Sequence, residues 1–192
     1  QSKDKVYGTG IIHEFNEREY TVFELMVIML IQSDNTAANK IIDLVGMEQI
    51  NEDIVAMGLK NTKLNRKTND ERTVVSNIEN ITTAYDLARI WKHLSNGTFL
   101  SKDNGQMLID ILRRQQIKNK LALYIPDDLK IEISSKTGDK KGVENDTEYL
   151  ELPKGKFTFT VLSEGIPNSV YGTVSLAKCG KMMWDEVMNN WN

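Results

Sequence analysis

The chain has 192 residues, of which 40% are hydrophobic and 27% are charged, and its formal net charge is −3. These values are typical of one globular domain with a sizeable core, or of two intertwined subdomains. They argue against a nucleic-acid partner, because such sites need clustered Lys and Arg. Cys179 is the single cysteine, and the two histidines, His13 and His93, are not at ligand spacing. We therefore expect no disulfide within the chain, no metal and no cofactor.

The longest apolar run, around residues 25–31, is far too short to cross a bilayer. No signal peptide precedes it, and the sequence begins with Gln1. We expect either that processing removed the front of the protein or that this is a piece of a longer chain.

Helices are predicted throughout the first two thirds of the chain. Thr21 and Glu24 form a capping box that opens the first helix, which is apolar enough to be buried on most sides. Thr83 with Asp86, and later Ser101, give similar start signals. The predicted helices are, in chain order, 21–32, 36–45, 47–57, 83–95 and 101–116. Residues 59–81 are polar without a clean period, which predicts a long surface loop.

The periodicity changes after residue 128. Residues 129–135, 146–152 and 156–163 predict strands, the last with clear alternation of apolar and polar side chains. The final helix, 173–190, carries an apolar stripe that includes Cys179, which is therefore expected to be a core residue.

This order of elements predicts an α+β fold. A mainly helical subdomain would cover residues 1–128. An antiparallel strand meander with a flanking C-terminal helix would cover residues 129–192.

Two short motifs carry the chemistry. Ser33-Asp34-Asn35 is a polar break between two apolar helical runs, and taken alone it predicts a helix cap. Lys136-Thr137-Gly138 lies far down the chain, where the first predicted strand ends. A lone K-T-G is common by chance, but K-T-G at a strand end together with S-D-N at a helix junction is far more specific.

S-D-N and K-T-G are two of the three signatures of the serine β-lactamases and penicillin-binding proteins. The chain resembles this family over almost its whole length, and its class A β-lactamase branch most closely. The helix pair around S-D-N, the long loop, the K-T-G strand, the meander and the last helix follow the family order. The resemblance implies a β-lactamase-like fold and a serine hydrolase that acts on β-lactam amides through an acyl-enzyme.

The resemblance also implies roles for the residues around K-T-G. Lys136 would supply a fixed positive charge, and Thr137 a hydroxyl, to the carboxylate of the substrate. Gly138 would leave room for an acyl group along the strand edge. The N–H of Asp139 would be one donor of the oxyanion hole, where a donor is worth roughly 2.7–4 kcal/mol.

In S-D-N, the resemblance implies that Ser33 relays a proton to the leaving nitrogen, with Lys136 favouring the transfer. Asn35 would bind the amide side chain of the substrate. Asp34 is expected to be structural, tying its own turn to neighbouring backbone.

The third signature, S-x-x-K, holds the nucleophilic serine, and its one match is Ser2-Lys3-Asp4-Lys5. We reject this match, because it lies in a polar segment and too close to Ser33. The true motif, the N-terminal helix and the first strands are expected before Gln1. The chain alone is then expected to be inert in acyl transfer, and its own missing N-terminal segment is one expected partner.

The long loop departs from the family pattern R-x-E-x-x-x-N, whose Glu activates the deacylating water. Arg66 matches, but Thr68 stands at the Glu position and Arg72 at the Asn position. Asp70 and Glu71 are off register, and we interpret them as solvated loop charges. The parent enzyme is expected to acylate but to deacylate poorly.

Two alternatives stay open. One is a penicillin-binding-like D,D-peptidase or acyltransferase on cell-wall peptides, and the other is a non-catalytic binding module. An S-x-x-K at the start of an apolar helix upstream of Gln1 would favour an enzyme.

The family's substrates imply a location outside the cytoplasmic membrane: extracellular, periplasmic or membrane-anchored. For a β-lactamase they also imply a part in antibiotic resistance. The oligomeric state is left open.

Overall fold

The structure of the protein is a computed structural model that describes residues 4–69, 78–126, 129 and 131–191. The chain forms two compact units, unit 1 over Gln1–Asp86 and unit 2 over Leu87–Asn192. The sequence-based subdivision at residue 128 stays a prediction. None of the described helices is long and apolar enough to span a membrane.

The described residues of unit 1 include the 3-10 segment Ile12–Glu14 and the α-helices α1 (Val22–Gln32), α2 (Asn35–Val45) and α3 (Met47–Ala56). The predicted capping box is present, since Thr21 Oγ1 accepts from the Glu24 N–H at 3.1 Å and the Glu24 carboxylate accepts from the Thr21 N–H at 2.8 Å. The prediction that α1 is buried on most sides is wrong. Val22 and Phe23 are 56% and 53% exposed, and the other residues of α1 are half-buried, because its main packing partner is α2.

The predicted loop is confirmed in its two described arms, 59–69 and 78–81, whereas residues 70–77 lie outside the described part. Lys63 and Ile81 form an antiparallel bridge that joins the arms. Asn80 Oδ1 accepts from the N–H groups of Asn65 and Arg66 at 2.8 and 2.9 Å. The ends of the loop are therefore fixed by hydrogen bonds.

Helix α4 (Ala84–Asn96) begins at the end of unit 1, and α5 (Lys102–Arg113) lies in unit 2. Three strands follow: β1 (Ile133–Lys140), β2 (Val143–Leu152) and β3 (Gly155–Leu162), in the antiparallel order β1-β2-β3. Helix α6 (Ser169–Trp191) ends the chain. These elements confirm the predicted α+β fold.

Strand β1 differs from its prediction at both ends. It begins at Ile133 rather than 129, and it continues through K-T-G to Lys140. The extension has a clear cause, because Lys140 pairs with Val143 across a two-residue turn in which Gly142 takes φ +78°. K-T-G therefore lies inside a paired strand and not at its end.

The core of unit 2 lies between the sheet and α6. Its buried members are Leu121, Leu150, Phe159, Leu176, Trp184 and Val187. A Cβ at Gly180 would overlap the backbone carbonyl of Leu121, so α6 approaches this segment closely through Gly180. Cys179 lies beside that packing face and is exposed, so its expected place in the core is wrong.

Candidate active site

S-D-N forms the corner between α1 and α2. Ser33 ends α1 in the left-handed conformation, at φ 55° and ψ 37°. Among the described residues other than glycine, only Ser33 and Asn69 have positive φ. Such a residue costs on the order of 1–3 kcal/mol and persists where its surroundings enforce it, often at functional sites. The motif therefore provides more than a helix cap, and the capping itself falls to Asp34.

The Asp34 carboxylate holds this corner together, as predicted. It is fully buried, and Oδ1 accepts from the Ala37 N–H at 2.8 Å as the N-cap of α2. Oδ2 accepts from the N–H groups of Ile11 and Ile12 at 2.7 and 2.9 Å. A Cβ at Gly10 would overlap this carboxylate. One side chain thus joins the S-D-N turn to residues 10–12.

Asn35 points its carboxamide at the segment before these residues. Its Nδ2 donates to the Tyr7 carbonyl at 3.2 Å, and Asn69 Nδ2 donates to the same carbonyl at 2.7 Å. A Cβ at Gly8 would come within 3.0 Å of Asn35 Nδ2. The third residue of S-D-N and the first arm of the long loop therefore share one acceptor.

One turn further along α2, Asn39 binds the loop at the position where the family pattern has its Glu. Asn39 Nδ2 donates to the Thr68 carbonyl, and Thr68 N–H donates to Asn39 Oδ1, both at 2.9 Å. Position 68 is thus fixed by its backbone, while its side chain offers a hydroxyl in place of a carboxylate.

In unit 2, K-T-G lies on β1, which pairs with β2 among the described strands. Lys136 is half-buried, and its Nζ donates to the Thr137 carbonyl at 2.7 Å. Burial lowers the pKa of Lys136 to about 8, although the negative charges of Asp139 and Asp146 oppose the shift. Its charge is therefore present at neutral pH but is not fixed, which amends the predicted role.

Gly138 is exposed, and the nearest atom to a Cβ placed there would be Asn145 Cβ at 4.0 Å. Packing within the strand pair would tolerate a side chain at this position. The described residues leave room for a Cβ at Gly138, and the acyl group along the strand stays a prediction.

Strand β2, which pairs with β1, carries buried acidic side chains that were not predicted from the sequence. Glu144, Asp146 and Glu148 alternate along β2 and are all buried, together with Lys120. The signal was present, because these acids have the same parity as Leu150 and Leu152, which face the core. Lys120 could not have been found by spacing, since its partners lie on strands far along the chain.

Two of these carboxyl groups hold protons at neutral pH or close to it. Burial raises the pKa of Asp146 to about 7 and that of Glu148 to about 9. Asp146 Oδ2 accepts from the Leu121 N–H at 3.2 Å, whereas Asp146 Oδ1 and Glu148 Oε2 have no hydrogen-bond partner among the described residues. Strand β2, which pairs with the K-T-G strand, therefore carries less negative charge than its sequence suggests.

The model of the β-lactamase enzyme family matches residues 1–187. The chain belongs to the β-lactamase enzyme family. Its S-D-N motif lies in unit 1 and its K-T-G motif in unit 2. The roles of Ser33, Asn35, Lys136, Thr137, Gly138 and Asp139 toward a substrate stay predictions. Within the described ranges, no three His, Cys, Asp or Glu side chains are arranged to hold a metal ion.

Solved structures of the family are similar to this chain. A β-lactamase from Sphaerobacter thermophilus DSM 20745 is 29% identical, with a TM-score of 0.88 over 94% of this chain and 69% of that one. PBP-A is 24% identical, with a TM-score of 0.81 over 97% of this chain and 69% of its own. A variant of the last common ancestor of Gram-negative class A β-lactamases is 21% identical, with a TM-score of 0.86 over 97% and 72%. The comparison with curated proteins gave no match.

Proposed function

We propose that this chain carries the substrate-binding residues of a serine hydrolase of the β-lactamase family, which acts on β-lactam amides through an acyl-enzyme. The observation that carries the proposal is the K-T-G strand. Lys136 is positive at neutral pH, and the space beside Gly138 is open. A penicillin G acyl-enzyme complex of a PBP-A mutant gives further support from the same fold.

The proposed binding mode uses the edge of β1. The substrate carboxylate binds the Lys136 ammonium and the Thr137 hydroxyl, and the acyl group lies past Gly138. The Asp139 N–H donates to the carbonyl oxygen as negative charge develops there. Asn35 binds the amide side chain of the substrate, and Ser33 passes a proton to the leaving nitrogen.

We also propose that these 192 residues do not perform acyl transfer by themselves. The one S-x-x-K match is Ser2-Lys3-Asp4-Lys5, and residues 1–3 lie outside the described part. Lys5 belongs to no helix, and its ammonium donates to the Phe15 carbonyl at 2.7 Å. This differs from a lysine held beside a nucleophile on a buried helix. A separate or covalently linked N-terminal segment is proposed to supply the serine.

Thr68 favours one alternative in particular, a penicillin-binding-like D,D-peptidase or acyltransferase on cell-wall peptides. With its backbone held by Asn39 and a hydroxyl in place of a carboxylate, position 68 lacks the base that would activate a deacylating water. Such a protein would form an acyl-enzyme with penicillin and release it slowly. Either substrate would support a location outside the cytoplasmic membrane, which is part of the proposal.

Intact-mass spectrometry with a fluorescent penicillin tests the proposal. The chain should show no covalent adduct, while fluorescence polarisation should report reversible binding that Lys136→Met removes. Lys156→Met on the outer strand β3 is the matched control and should bind as the wild type does. A rapid covalent adduct would contradict the inactivity, and binding unchanged in Lys136→Met would contradict the binding mode. If Lys136→Met and Lys156→Met both lose binding and the wild type forms no adduct, the binding is explained by non-specific charge attraction, which contradicts the binding mode.

A further inference from the structure

Lys120 has the largest side chain among the fully buried residues of the described chain, with 1% of it exposed. It directly precedes the short 3-10 segment Leu121–Tyr124 in unit 2. Lysine is almost never fully buried unless it is paired, because its ammonium loses hydration. Its partners therefore explain its position.

The Lys120 ammonium has three N–H donors, and three acceptors surround it. Nζ contacts the carboxylate of Asp139, the Glu144 carboxylate at 2.6 Å and the Asn145 carbonyl at 3.2 Å. Asp139 is near the end of β1, and Glu144 pairs with it across the hairpin near the start of β2. Lys120 thus joins both arms of the hairpin at the end of the K-T-G strand.

Asp139 is the residue directly after K-T-G, and 44% of its side chain is exposed. Its carboxylate is nevertheless drawn inward to Lys120. Burial raises the pKa of Asp139, and the hydrogen bond and charge of Lys120 oppose that rise. Lys136 lies on the same strand and interacts with both Asp139 and Lys120. The charge state of this strand end is therefore set by several groups together.

We propose that Lys120 is a positioning residue for the K-T-G strand, which holds the Asp139 carboxylate inward and neutralises it beside the substrate-carboxylate site. This inference rests on the proposed function of Lys136 and Thr137. Without Lys120, the strand end would place an unbalanced negative charge next to the group that must attract an anion. Asp139, whose N–H is the proposed oxyanion-hole donor, would also lose the contact between its side chain and Lys120.

The test compares benzylpenicillin with its uncharged methyl ester, using equilibrium titrations followed by NMR. Lys120→Met should weaken benzylpenicillin binding about tenfold and methyl ester binding no more than about threefold, since only the acid feels the added negative charge. Adding Asp139→Asn to Lys120→Met should restore most of the loss. Lys181→Met, which breaks a surface pair with Asp185 on α6, is the control and should change neither affinity.

The Asp139→Asn single variant keeps the test decisive if Lys120→Met fails to fold. Its ratio of benzylpenicillin affinity to methyl ester affinity should be no lower than in the wild type, because a carboxamide adds no negative charge. A lower ratio in this variant overturns the proposal. So does an equal loss for both ligands in a folded Lys120→Met chain, or a loss that Asp139→Asn does not repair.

Absence of benzylpenicillin binding by the wild type would instead contradict the proposed function. Amide hydrogen exchange then decides the positioning claim. Lys120→Arg, which keeps the positive charge, should exchange at Asp139 and Lys140 as the wild type does, and Lys120→Met should exchange about tenfold faster. Equal exchange in wild type and Lys120→Met overturns the claim, and an unfolded Lys120→Met beside a normal Lys120→Arg supports it.

Discussion

Asn39 and Thr68 exchange two hydrogen bonds, each 2.9 Å long, between a helix side chain and the backbone of the long loop. The pair binds the first arm of the loop to α2, one turn after S-D-N. A carboxamide can donate and accept in this way from one side chain. The contact therefore depends on Asn39 and not on the identity of the side chain at position 68.

Asn39→Ala should lower the free energy of unfolding by about 1–3 kcal/mol, because it leaves two half-buried backbone groups unpaired. Urea denaturation followed by circular dichroism measures this loss. Gln49→Ala removes an exposed contact with Asp53 on α3 and should cost under about 0.5 kcal/mol. Equal effects of the two substitutions would show that the loop is not held by Asn39.

Asp34→Ala should be more costly, about 3 kcal/mol or more, since three backbone N–H groups lose their acceptor in a fully buried place. The same denaturation experiment gives the value. Asp43→Ala breaks an ion pair with Lys67 on the surface of unit 1 and should cost no more than about 1 kcal/mol. A small effect of Asp34→Ala would contradict its structural role.

Much of the fold follows from local signals that the sequence displays. Thr21 with Glu24 and Thr83 with Asp86 mark helix starts through hydrogen bonds to near neighbours, so short sequence windows suffice to find them. Cys179 was predicted to be a core residue because an apolar stripe does not show which of its edges packs against the rest of the protein. The close approach of Gly180 to Leu121 puts Cys179 outside the packed face. The bounds of β1 were predicted as 129–135 for a similar reason, since pairing with β2 decides that the strand runs from Ile133 to Lys140.

In the candidate site, too, local contacts were predictable from the sequence and long-range contacts were not. Asp34 was assigned correctly, because its cap is local to the S-D-N turn. Lys120 escaped notice because its carboxylate partners are Asp139 and Glu144, which only folding brings to it. The pKa of Lys136 could not be predicted either, since it depends on burial and on the charges of Asp139, Asp146 and Lys120.

Unfolding should show a pH dependence that originates in Glu148. Its folded pKa is raised to about 9, so the unfolded chain releases this proton first as the pH rises above its ordinary value of 4.5. Stability should therefore fall between about pH 5 and 9, at up to about 1.4 kcal/mol per pH unit. Asp146, raised to about 7, adds a loss of the same sign at lower pH. Denaturation curves at pH 5, 7 and 8.5 measure the slope.

Glu148→Gln removes that contribution, because a carboxamide does not ionise. The variant should have a shallower slope than the wild type and should gain relative stability as the pH rises. The exposed Glu164→Gln should keep the wild-type slope. A steep slope between pH 7 and 8.5 that survives Glu148→Gln would place the titrating group elsewhere.

Binding of an anionic ligand should depend on the protonation of Lys136. With a pKa of about 8, this lysine loses its charge as the pH rises through that value. Affinity for benzylpenicillin should then fall between pH 7 and 9.5, approaching about tenfold per unit above the pKa. Lys136→Arg should abolish the decline, because a guanidinium stays protonated. A flat wild-type profile would mean that Lys136 does not supply the charge.

The central claim is that β1 binds the carboxylate and acyl group of a β-lactam. Titration of the ¹⁵N-labelled chain with benzylpenicillin, followed by amide chemical shifts, tests it most directly. We expect saturable shifts at Gly138 and Asp139, both lost in Lys136→Met. Shifts confined to other residues, or the same shifts in Lys136→Met, would contradict the claim.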